Sequence, residues 1–416
     1  MISIAFLALI AVYVAWNLGA NDVANSMGTS VGSKAVTLTQ AVVIAGILEF
    51  LGAVIFGKNV SSTIATQVVN PQIFAPQPQI FLWGMISVSI ASGLWLRIAT
   101  LQGLPVASSH AVIGAIAGFA WVAFGQGAIN WHSIGKICAG WLITPLLSGV
   151  ISILIFSLLA RSLFEKKSPS ALQEWIPWLS SGIVALFGII VFPGLWQNEL
   201  FQKLSLNQRI PEHDLSILLG GFGAIALTIY VWRVLQRLTK ADLSEADITE
   251  KIMAKFQVVS ACFVAFAHGS NDVGNAIAPL AAILDVLKTG KVPLANIPIP
   301  FWVLCLGGLG IVGGLAVQGK KVISTIGDNI FALVPSTGFC AEISTAATIL
   351  LASRIGLPVS TSHALVGSVI GIGFWQNKSA LKWQTVRSIV GAWVITIPAA
   401  GSLSAIIFIG LRHFAL

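Results

Sequence analysis

The sequence predicts an all-α polytopic membrane protein built from two inverted-topology repeats, each with a broken first helix and a re-entrant helical hairpin. Of its 416 residues, 56% are hydrophobic and only 9% are charged, whereas about a quarter of the residues in soluble domains are charged. Apolar stretches of about 20 residues, the length that a helix needs to cross a bilayer, recur along the chain. A polar motif inside one of these stretches, GANDVANS at 19–26, returns as GSNDVGNA at 269–276.

The excess of basic residues follows membrane topology. The formal net charge is +8, which on its own would suggest a nucleic-acid partner. Lys and Arg gather in short loops between apolar segments, however, and basic loops of this kind set the orientation of membrane proteins. We therefore expect the lipid bilayer as a partner and no nucleic acid. The four cysteines lie in apolar segments without metal-ligand or disulfide spacing, so we interpret them as small core residues.

The first repeat is predicted to cover residues 1–160. Its first span carries the GANDVANS motif, whose glycines and polar residues predict a break in the helix. Two of its apolar segments are the arms of a hairpin joined by GLPVASS at 103–109, because proline disfavours helix at the residue before it. The predicted spans and hairpin arms are about 2–28, 35–56, 81–102, 110–125 and 134–160.

Residues 161–255 are predicted to link the repeats, with spans at about 178–196 and 215–235. The stretch from 233 to 255 is the one long charged segment and predicts a surface helix or linker. The second repeat then covers 256–416. Its predicted spans and hairpin arms are about 256–284, 300–318, 334–355, 363–375 and 384–411.

Three sequence motifs occur twice in the same order, which is the strongest sign of an internal repeat. Besides the Asn-Asp motif, LPVASSH at 104–110 matches LPVSTSH at 357–363, and GKNVSSTI at 57–64 matches GKKVISTI at 319–326. If the most basic loops face the cytoplasm, the N-terminus lies outside and an odd number of crossings separates the repeats. The repeats then have opposite orientations, a common plan of membrane transporters.

The two hairpin tips carry hydroxyl side chains at the predicted start of a helix. Helix N-termini with hydroxyls attract anions, and two tips that converge would surround one small, multiply accepting ligand. The alternative is that these residues are ordinary helix caps at interfacial turns. A histidine follows each tip, and it would either contact the ligand or orient a hydroxyl. The candidate anion-binding residues are Ser108, Ser109, His110, Thr361, Ser362 and His363.

The repeated Asn-Asp motifs place carboxylates inside apolar runs, where a charge costs about 2.5–3.5 kcal/mol and is rarely idle. A carboxylate repels an anion, so these residues fit a cation such as Na⁺, with amides and backbone carbonyls freed by the helix breaks as further ligands. An aspartate that takes up a proton would serve the same coupling, and helix–helix hydrogen bonding is the structural alternative. The candidate cation-binding residues are Asn21, Asp22, Asn25, Asn271, Asp272 and Asn275, with sodium expected at Asp22, Asn25, Asp272 and Asn275.

Two glutamates, Glu49 and Glu342, also lie within apolar runs. Each is a candidate for a functional role, as a carrier of the coupling proton, an ion ligand or a partner of Arg97 or Arg354. A structural salt link is the alternative.

These motifs together resemble the inorganic phosphate transporter (PiT) family, which includes sodium–phosphate symporters, proton-coupled phosphate permeases and some sulfate permeases. The resemblance covers both halves of the chain and leaves only about 161–250 without a counterpart. It implies an inverted-repeat, cation-coupled oxyanion transporter, usually dimeric, that moves a transport domain against a scaffold. It also implies that the tips bind the substrate, that the Asn-Asp motifs bind cations, and that Glu49 and Glu342 are functional glutamates.

We therefore expect a secondary active transporter that imports inorganic phosphate by symport with a cation, Na⁺ being favoured and H⁺ being possible, in a prokaryotic inner membrane. A proton-coupled sulfate permease is the alternative, and an anion channel with the tips as its filter is a weaker one. An intramembrane enzyme fits poorly, because no nucleophile–base pair or metal cluster is apparent. No organic cofactor is expected.

Overall fold

A computed structural model of the chain describes residues 3–165, 168–196, 212–294, 297–326 and 330–415. Within them the secondary structure is helical apart from an isolated β-bridge between Val69 and Ile129. The α-helices are α1 (Ile4–Gly32), α2 (Leu38–Gln67), α3 (Pro71–Phe74), α4 (Pro78–Leu101), α5 (Ser108–Phe124), α6 (Trp131–Leu159), α7 (Pro169–Trp196), α8 (Glu212–Leu238), α9 (Glu245–Thr289), α10 (Phe301–Ile326), α11 (Pro335–Arg354), α12 (Thr361–Gln376) and α13 (Trp383–Ala415).

Nine of the described helices are long and apolar enough to cross a membrane, which confirms the predicted class. They are α1, α2, α4, α6, α7, α8, α9, α10 and α13. Helix α5 is shorter, at 17 residues. The charged stretch from 233 to 255 contains the end of α8, a turn, and the first turns of α9, which Ser244 caps by accepting a hydrogen bond from the backbone N–H of Asp247. The predicted boundary at 255 thus falls inside α9, and the division into 1–160, 161–255 and 256–416 stays a prediction.

The predicted break in the first helix of each repeat is wrong. Helix α1 continues through the first Asn-Asp motif to Gly32, and the 45-residue α9 continues through the second motif. The glycines serve close packing instead: a Cβ at Gly19 would overlap the carbonyl oxygen of Ile311, and one at Gly269 would overlap that of Glu49. A glycine inside a helix costs only about 1 kcal/mol, and small residues let membrane helices approach each other closely. No carbonyls are therefore freed by breaks at these motifs.

Helices of the first half pack against helices of the second half. Helix α1 lies on α10, and α2 lies on α9. At the first contact a Cβ at Gly314 would overlap the carbonyl oxygen of Trp16, and at the second a Cβ at Gly52 would overlap that of Phe266. In the same way α5 lies on α13, and α6 lies on α12. The two halves are thus interlocked along their lengths.

This packing brings the two hairpins together. Helices α4 and α5 form hairpin 1, and α11 and α12 form hairpin 2. Gly103 and Gly356 end the first arm of each, with φ of 67° and 70°, a left-handed conformation that glycine adopts at little cost. The ring centroids of His110 and His363, in the first turns of α5 and α12, lie 4.8 Å apart. The tips therefore converge, while the re-entrant path of the hairpins stays a prediction.

Candidate functional site

The two aspartates of the repeated motifs meet in the interior. Asp22 on α1 and Asp272 on α9 are each 1% exposed. Together with His268, one helical turn before Asp272, they offer ligand atoms that all lie within 4.8 Å of one another. Sequence reasoning predicted both aspartates as members of one site but did not single out His268.

His268 lies between two carboxyl groups. Its Nδ1 is 3.1 Å from Oε1 of Glu49, and its Nε2 is 3.1 Å from Oδ2 of Asp272, with all three side chains almost fully buried. With Asp22 included, the cluster holds three carboxyl groups and one imidazole. Even a protonated imidazole would leave two negative charges uncompensated if every carboxyl group were ionised. Such charges are costly to bury, so the cluster calls for bound cations or protons.

Several oxygens around the aspartates are buried without a hydrogen-bond partner among the described residues. An unsatisfied buried acceptor costs about 1–3 kcal/mol, and hard cations bind carboxylate and amide oxygens. These oxygens therefore fit a cation such as Na⁺. They are Oδ1 of Asn21, Oδ2 of Asp22, Oε2 of Glu49, Oδ1 of Asp272 and Oδ1 of Asn275.

The amide groups of Asn25 and Asn275 bind neighbours through their nitrogens. Nδ2 of Asn25 donates to Oδ1 of Asp22 at 3.3 Å, and Nδ2 of Asn275 donates to Oγ of Ser108 at 3.1 Å. Because only the amide nitrogens are used in these bonds, the amide oxygens stay available as ligands. Asn275 also joins α9 of the second half to the tip of hairpin 1.

Asn21 and Asn271 instead hold the hairpin loops. Nδ2 of Asn21 donates to Oγ1 of Thr100 and to the carbonyl of Leu104, at the end of α4 and in the loop that follows. Nδ2 of Asn271 donates to Oγ of Ser353 and to the carbonyl of Leu357, and its Oδ1 accepts from the backbone N–H of Val359. Both ends of the Asn271 amide are therefore committed to hairpin 2. Of these two residues, Asn21 keeps the free oxygen.

The four hydroxyls of the tips lie in the first turns of α5 and α12, but they do not cap these helices. The N-cap residues are Ala107 and Ser360, and Oγ of Ser360 accepts from the backbone N–H of His363. The capping alternative for the tip hydroxyls is therefore wrong, because each lies one or two residues beyond its cap.

The partners of the hydroxyls differ. Oγ1 of Thr361 donates to Oδ2 of Asp272 at 2.9 Å, and Oγ of Ser362 lies 2.8 Å from Oγ of Ser360. Ser108 accepts from Asn275, as described above. Oγ of Ser109 is buried without a hydrogen-bond partner in the described part of the chain.

The two tip histidines face the last span of the opposite half. Nδ1 of His110 is 3.0 Å from the carbonyl of Trp393, and Nδ1 of His363 is 2.9 Å from the carbonyl of Trp141. Each ring also lies against an indole, with centroids 3.9 Å apart for His110 and Trp141 and 3.7 Å apart for His363 and Trp393. Nδ1 of each ring thus holds its tip in place, whereas Nε2 of both histidines is buried without a hydrogen-bond partner among the described residues, so both expected roles stay open.

Glu49 and Glu342 have different surroundings, and neither bonds to an arginine that sequence reasoning considered. Glu342 accepts hydrogen bonds of 2.6–3.0 Å from the side chains of Thr29, Ser30, Gln257 and Ser260. Glu49 accepts one, at 2.8 Å from Ser26, and contacts His268. Arg97 donates to Gln318, and Arg354 donates to the carbonyl of Ile189. The carboxylate of Glu342 is thus well satisfied, whereas that of Glu49 keeps an orphan oxygen.

A cavity of about 210 Å³ lies beside the first Asn-Asp motif. Asn25 and Thr29 of α1, Leu104 of the hairpin 1 loop and Ser362 of α12 contribute to its lining. It therefore reaches both the Asn-Asp motif and the tips, and its volume is sufficient for a small anion with a few waters, since a water takes about 30 Å³.

Comparison with known proteins shows one family over nearly the whole chain. A family model described as the phosphate transporter family matches residues 18–404. The chain is 37% identical over 432 residues to the chloroplastic inorganic phosphate transporter 2-1 of Arabidopsis thaliana, a match that covers 97% of this chain and 72% of that protein. A solved structure described as the sodium-dependent phosphate transporter matches with a TM-score of 0.88 and 36% identity, covering 99% of each chain.

Proposed function

The chain belongs to the phosphate transporter family, and from this premise we propose that it imports inorganic phosphate by secondary active symport with Na⁺. It is an integral membrane protein and a transporter, not an enzyme. Sodium is favoured over other cations because a structural neighbour is a sodium-dependent phosphate transporter and because the donors of the site are carboxylate and amide oxygens.

The observation that carries this proposal is the meeting of Asp22 and Asp272 among oxygens without partners. One aspartate comes from each half, and both lie at the same position of the repeated motif. The uncompensated negative charge and the orphan oxygens both call for a cation. Sodium ions would be held by Asp22, Asn25, Asp272 and Asn275, as the sequence predicts, with Asn21 and Glu49 as further oxygen donors.

Phosphate would bind at the tips, next to the cations. Ser108, Ser109, Thr361 and Ser362 supply hydroxyls, and the first turns of α5 and α12 supply free backbone N–H groups. Because Ser108 and Thr361 already touch the Asn-Asp motifs through Asn275 and Asp272, an anion at the tips would lie close to the bound cations. Cation and anion would then stabilise each other, which is the physical basis of symport at one site.

The topology, the location and the assembly of the protein are proposals as well. We propose that the halves are inverted repeats, with the N-terminus outside and the protein in a prokaryotic inner membrane. The paired glycine contacts of α1 with α10 and of α2 with α9 support the repeat. Alternating access by movement of a transport domain and a homodimer are proposals from the family resemblance.

Proton coupling is the second candidate, and the position of His268 between Glu49 and Asp272 favours it. A proton shared along these three groups would compensate part of their charge. With proton coupling a sulfate substrate also stays open, since both anions are tetrahedral.

The test is gradient-driven accumulation of phosphate by the purified protein in liposomes, with imposed sodium or proton gradients and with sulfate in a parallel series. Asp22→Asn and Asp272→Asn keep the size and the hydrogen bonding of each side chain but remove the charge that balances the cation. We expect accumulation to collapse in both variants, because the ion that offsets the cost of moving phosphate into low dielectric is lost.

Asp285→Asn is the matched control, since Asp285 lies on the same helix as Asp272 but outside the cluster. This control should accumulate phosphate like the unmodified protein. Full sodium-driven accumulation by both Asp22→Asn and Asp272→Asn would reject the cation site.

A further inference from the structure

A second polar cavity, which we call the Lys58 cleft, lies between α2 and the loop of hairpin 2. Its volume is about 270 Å³, and Lys58, Ser62 and Thr63 of α2 line it together with Arg354 and Gly356 of hairpin 2. Lys58 and Arg354 are exposed. At about 30 Å³ per water, the cleft has room for an oxyanion with several waters.

The lining of the cleft suits a phosphate group. Two side-chain cations face one cavity with two hydroxyls and the amides of Asn59 and Gln67, and none of the described residues that line it is acidic. Arginine and lysine bind phosphate oxygens through charge-assisted hydrogen bonds. Arg354 is also anchored, since one guanidinium N–H donates to the carbonyl of Ile189 at 3.2 Å. If Lys58 only placed its ammonium group at the membrane interface, its presence would be explained. The presence of a second cation, two hydroxyls and two amides around the same cavity would not.

The loop of hairpin 2 connects the cleft to the central site. A Cβ at Gly356 would come within 3.0 Å of Oγ1 of Thr63 and 3.3 Å of the carbonyl oxygen of Asn59, so the loop of hairpin 2 presses on α2. The neighbours of this loop residue, Ser353 and Leu357, accept hydrogen bonds from Asn271. The loop that forms one wall of the cleft is therefore the loop that Asn271 ties to the aspartate cluster.

We propose that the Lys58 cleft is a second phosphate-binding site, which concentrates free inorganic phosphate next to hairpin 2 before the anion reaches the tips. The proposal rests on the proposed function for the identity of its ligand. A basic cleft with focused positive potential raises the local concentration and the association rate of an anion. The phosphate headgroup of an anionic lipid offers the same chemistry, so the experiment separates the two sources.

The first experiment measures occupancy without transport. Full-length protein in phosphatidylcholine nanodiscs is treated with an amine-acylating reagent, and modification of Lys58 is followed by mass spectrometry against Lys136, an exposed lysine outside the cleft. Inorganic phosphate should slow acylation of Lys58 by about tenfold at ten times its dissociation constant and leave Lys136 unaffected. The same protection is expected in Ser109→Ala, and it should weaken in Arg354→Gln.

The lipid arm uses nanodiscs that contain phosphatidylglycerol and no free phosphate. Protection of Lys58 by this lipid, with no effect of inorganic phosphate, would overturn the proposal. Equal acylation of Lys58 under all conditions would overturn it as well. Because no arm of this experiment depends on transport, its result stands even if the proposed symport fails.

The second experiment measures uptake by the double variant Lys58→Gln/Arg354→Gln. We expect KM for phosphate to rise roughly tenfold while kcat stays within about twofold, since the tips and the cation site are intact. The double variant Lys136→Gln/Arg387→Gln makes the same charge change outside the cleft and should behave like the unmodified protein. Lys58→Arg should keep a low KM. An unchanged KM in the cleft variant, in protein that does accumulate phosphate, would reject a loading role without touching the proposed function.

Discussion

The contact between α2 and α9 and the contact between α1 and α10 are built from equivalent residues of the repeat, yet they differ in charge. In both, glycines bring one helix against the carbonyl groups of the other: Gly269 on Glu49 in the first, and Gly19 on Ile311 in the second. At the α2–α9 contact, Glu49 also reaches His268. At the α1–α10 contact, the positions that match Glu49 and His268 hold Ile311 and Leu18, both fully buried.

This difference separates what the two matching contacts share from what only one of them has. The shared glycines and Asn-Asp motifs produce the scaffold and the paired aspartates. At the α2–α9 contact, the Glu49–His268 pair provides Asp272 with a partner. At the α1–α10 contact, Asp22 has no equivalent partner, because Leu18 stands where His268 stands in the other motif. We infer that Asp22 and Asp272 have different roles, because His268 contacts Oδ2 of Asp272 at 3.1 Å and lies one turn before it, whereas Leu18 holds the equivalent position before Asp22.

We expect the largest effect from changes to the glycines that both contacts share. Gly19→Ala and Gly269→Ala each add a methyl group where the backbone of another helix lies. Overpacking costs about 1–3 kcal/mol when side chains can move, and main-chain atoms cannot move aside. We expect each variant to lose about 3 kcal/mol or more of stability, seen as a lower melting temperature or a loss of folded protein in detergent.

Gly391→Ala is the control, because a Cβ there meets no atom within 4 Å and alanine favours helix by about 1 kcal/mol over glycine. This variant should be neutral or slightly more stable. If only one of Gly19→Ala and Gly269→Ala destabilised the protein, the two contacts would not be structurally equivalent.

Much of this arrangement follows from the sequence. Hydropathy and the proline-containing tips predict most helices and both hairpins within a few residues. The exceptions are α2, which runs on to Gln67, α7, which begins at Pro169, α9, which begins at Glu245, and α10, which runs on to Ile326. The repeat predicts that Asp22 and Asp272 share a site. It could not predict His268, because a repeat highlights what is present twice and the matching residue is Leu18. The signal that was available is local: a histidine four residues before an aspartate, on one face of an apolar helix.

Other features depend on contacts that no local pattern encodes. The glycine-containing motif at 19–28 has the composition of a helix break, but the role of Gly19 is set by Ile311, almost 300 residues away in the chain. The partners of Glu342 come from α1 and α9, so its hydroxyl-rich surroundings could not be read from its own neighbours. Ser360, the N-cap of α12, lies one residue before the predicted hydroxyls, a shift within the usual uncertainty of helix ends.

We expect the second-largest effect from changes to the Glu49–His268 pair, which only the α2–α9 contact has. His268→Gln and Glu49→Gln each break the buried pair and leave its other member without its partner. We expect each to reduce phosphate uptake by about 100-fold or more, and the double variant to be little worse than either single one, because residues that act as a unit are not additive. Uptake into liposomes under a fixed sodium gradient measures all three.

Controls at the equivalent positions of the other contact are Leu18→Met and Ile311→Leu. These volume-conserving changes cost less than about 1.5 kcal/mol, so uptake should stay close to that of the unmodified protein. If the loss of uptake in the double variant His268→Gln/Glu49→Gln equalled the sum of the two single losses, the two residues would act separately. The α2–α9 contact would then hold no functional pair.

The smallest expected effect compares the two tips. Ser109 and Ser362 occupy equivalent positions, but Oγ of Ser109 has no hydrogen-bond partner among the described residues, whereas Oγ of Ser362 is 2.8 Å from Oγ of Ser360. A hydroxyl without a protein partner is free to donate to an anion, and a hydrogen bond to a charged group is worth about 1.5–3 kcal/mol. Ser109→Ala should therefore weaken phosphate binding by about 10- to 100-fold.

Ser362→Ala should weaken binding only a few-fold, because its hydroxyl gives up an existing partner when it turns to the anion, which offsets most of the gain. Ser157→Ala, at a half-buried position on α6 away from the tips, is the control and should leave binding unchanged. Equilibrium binding of radiolabelled phosphate in saturating sodium gives the three dissociation constants without transport. Equal losses at Ser109 and Ser362 would show that the tips contribute alike, and the asymmetry would then be confined to the contact between α2 and α9. No loss in either variant would place the anion away from the tips.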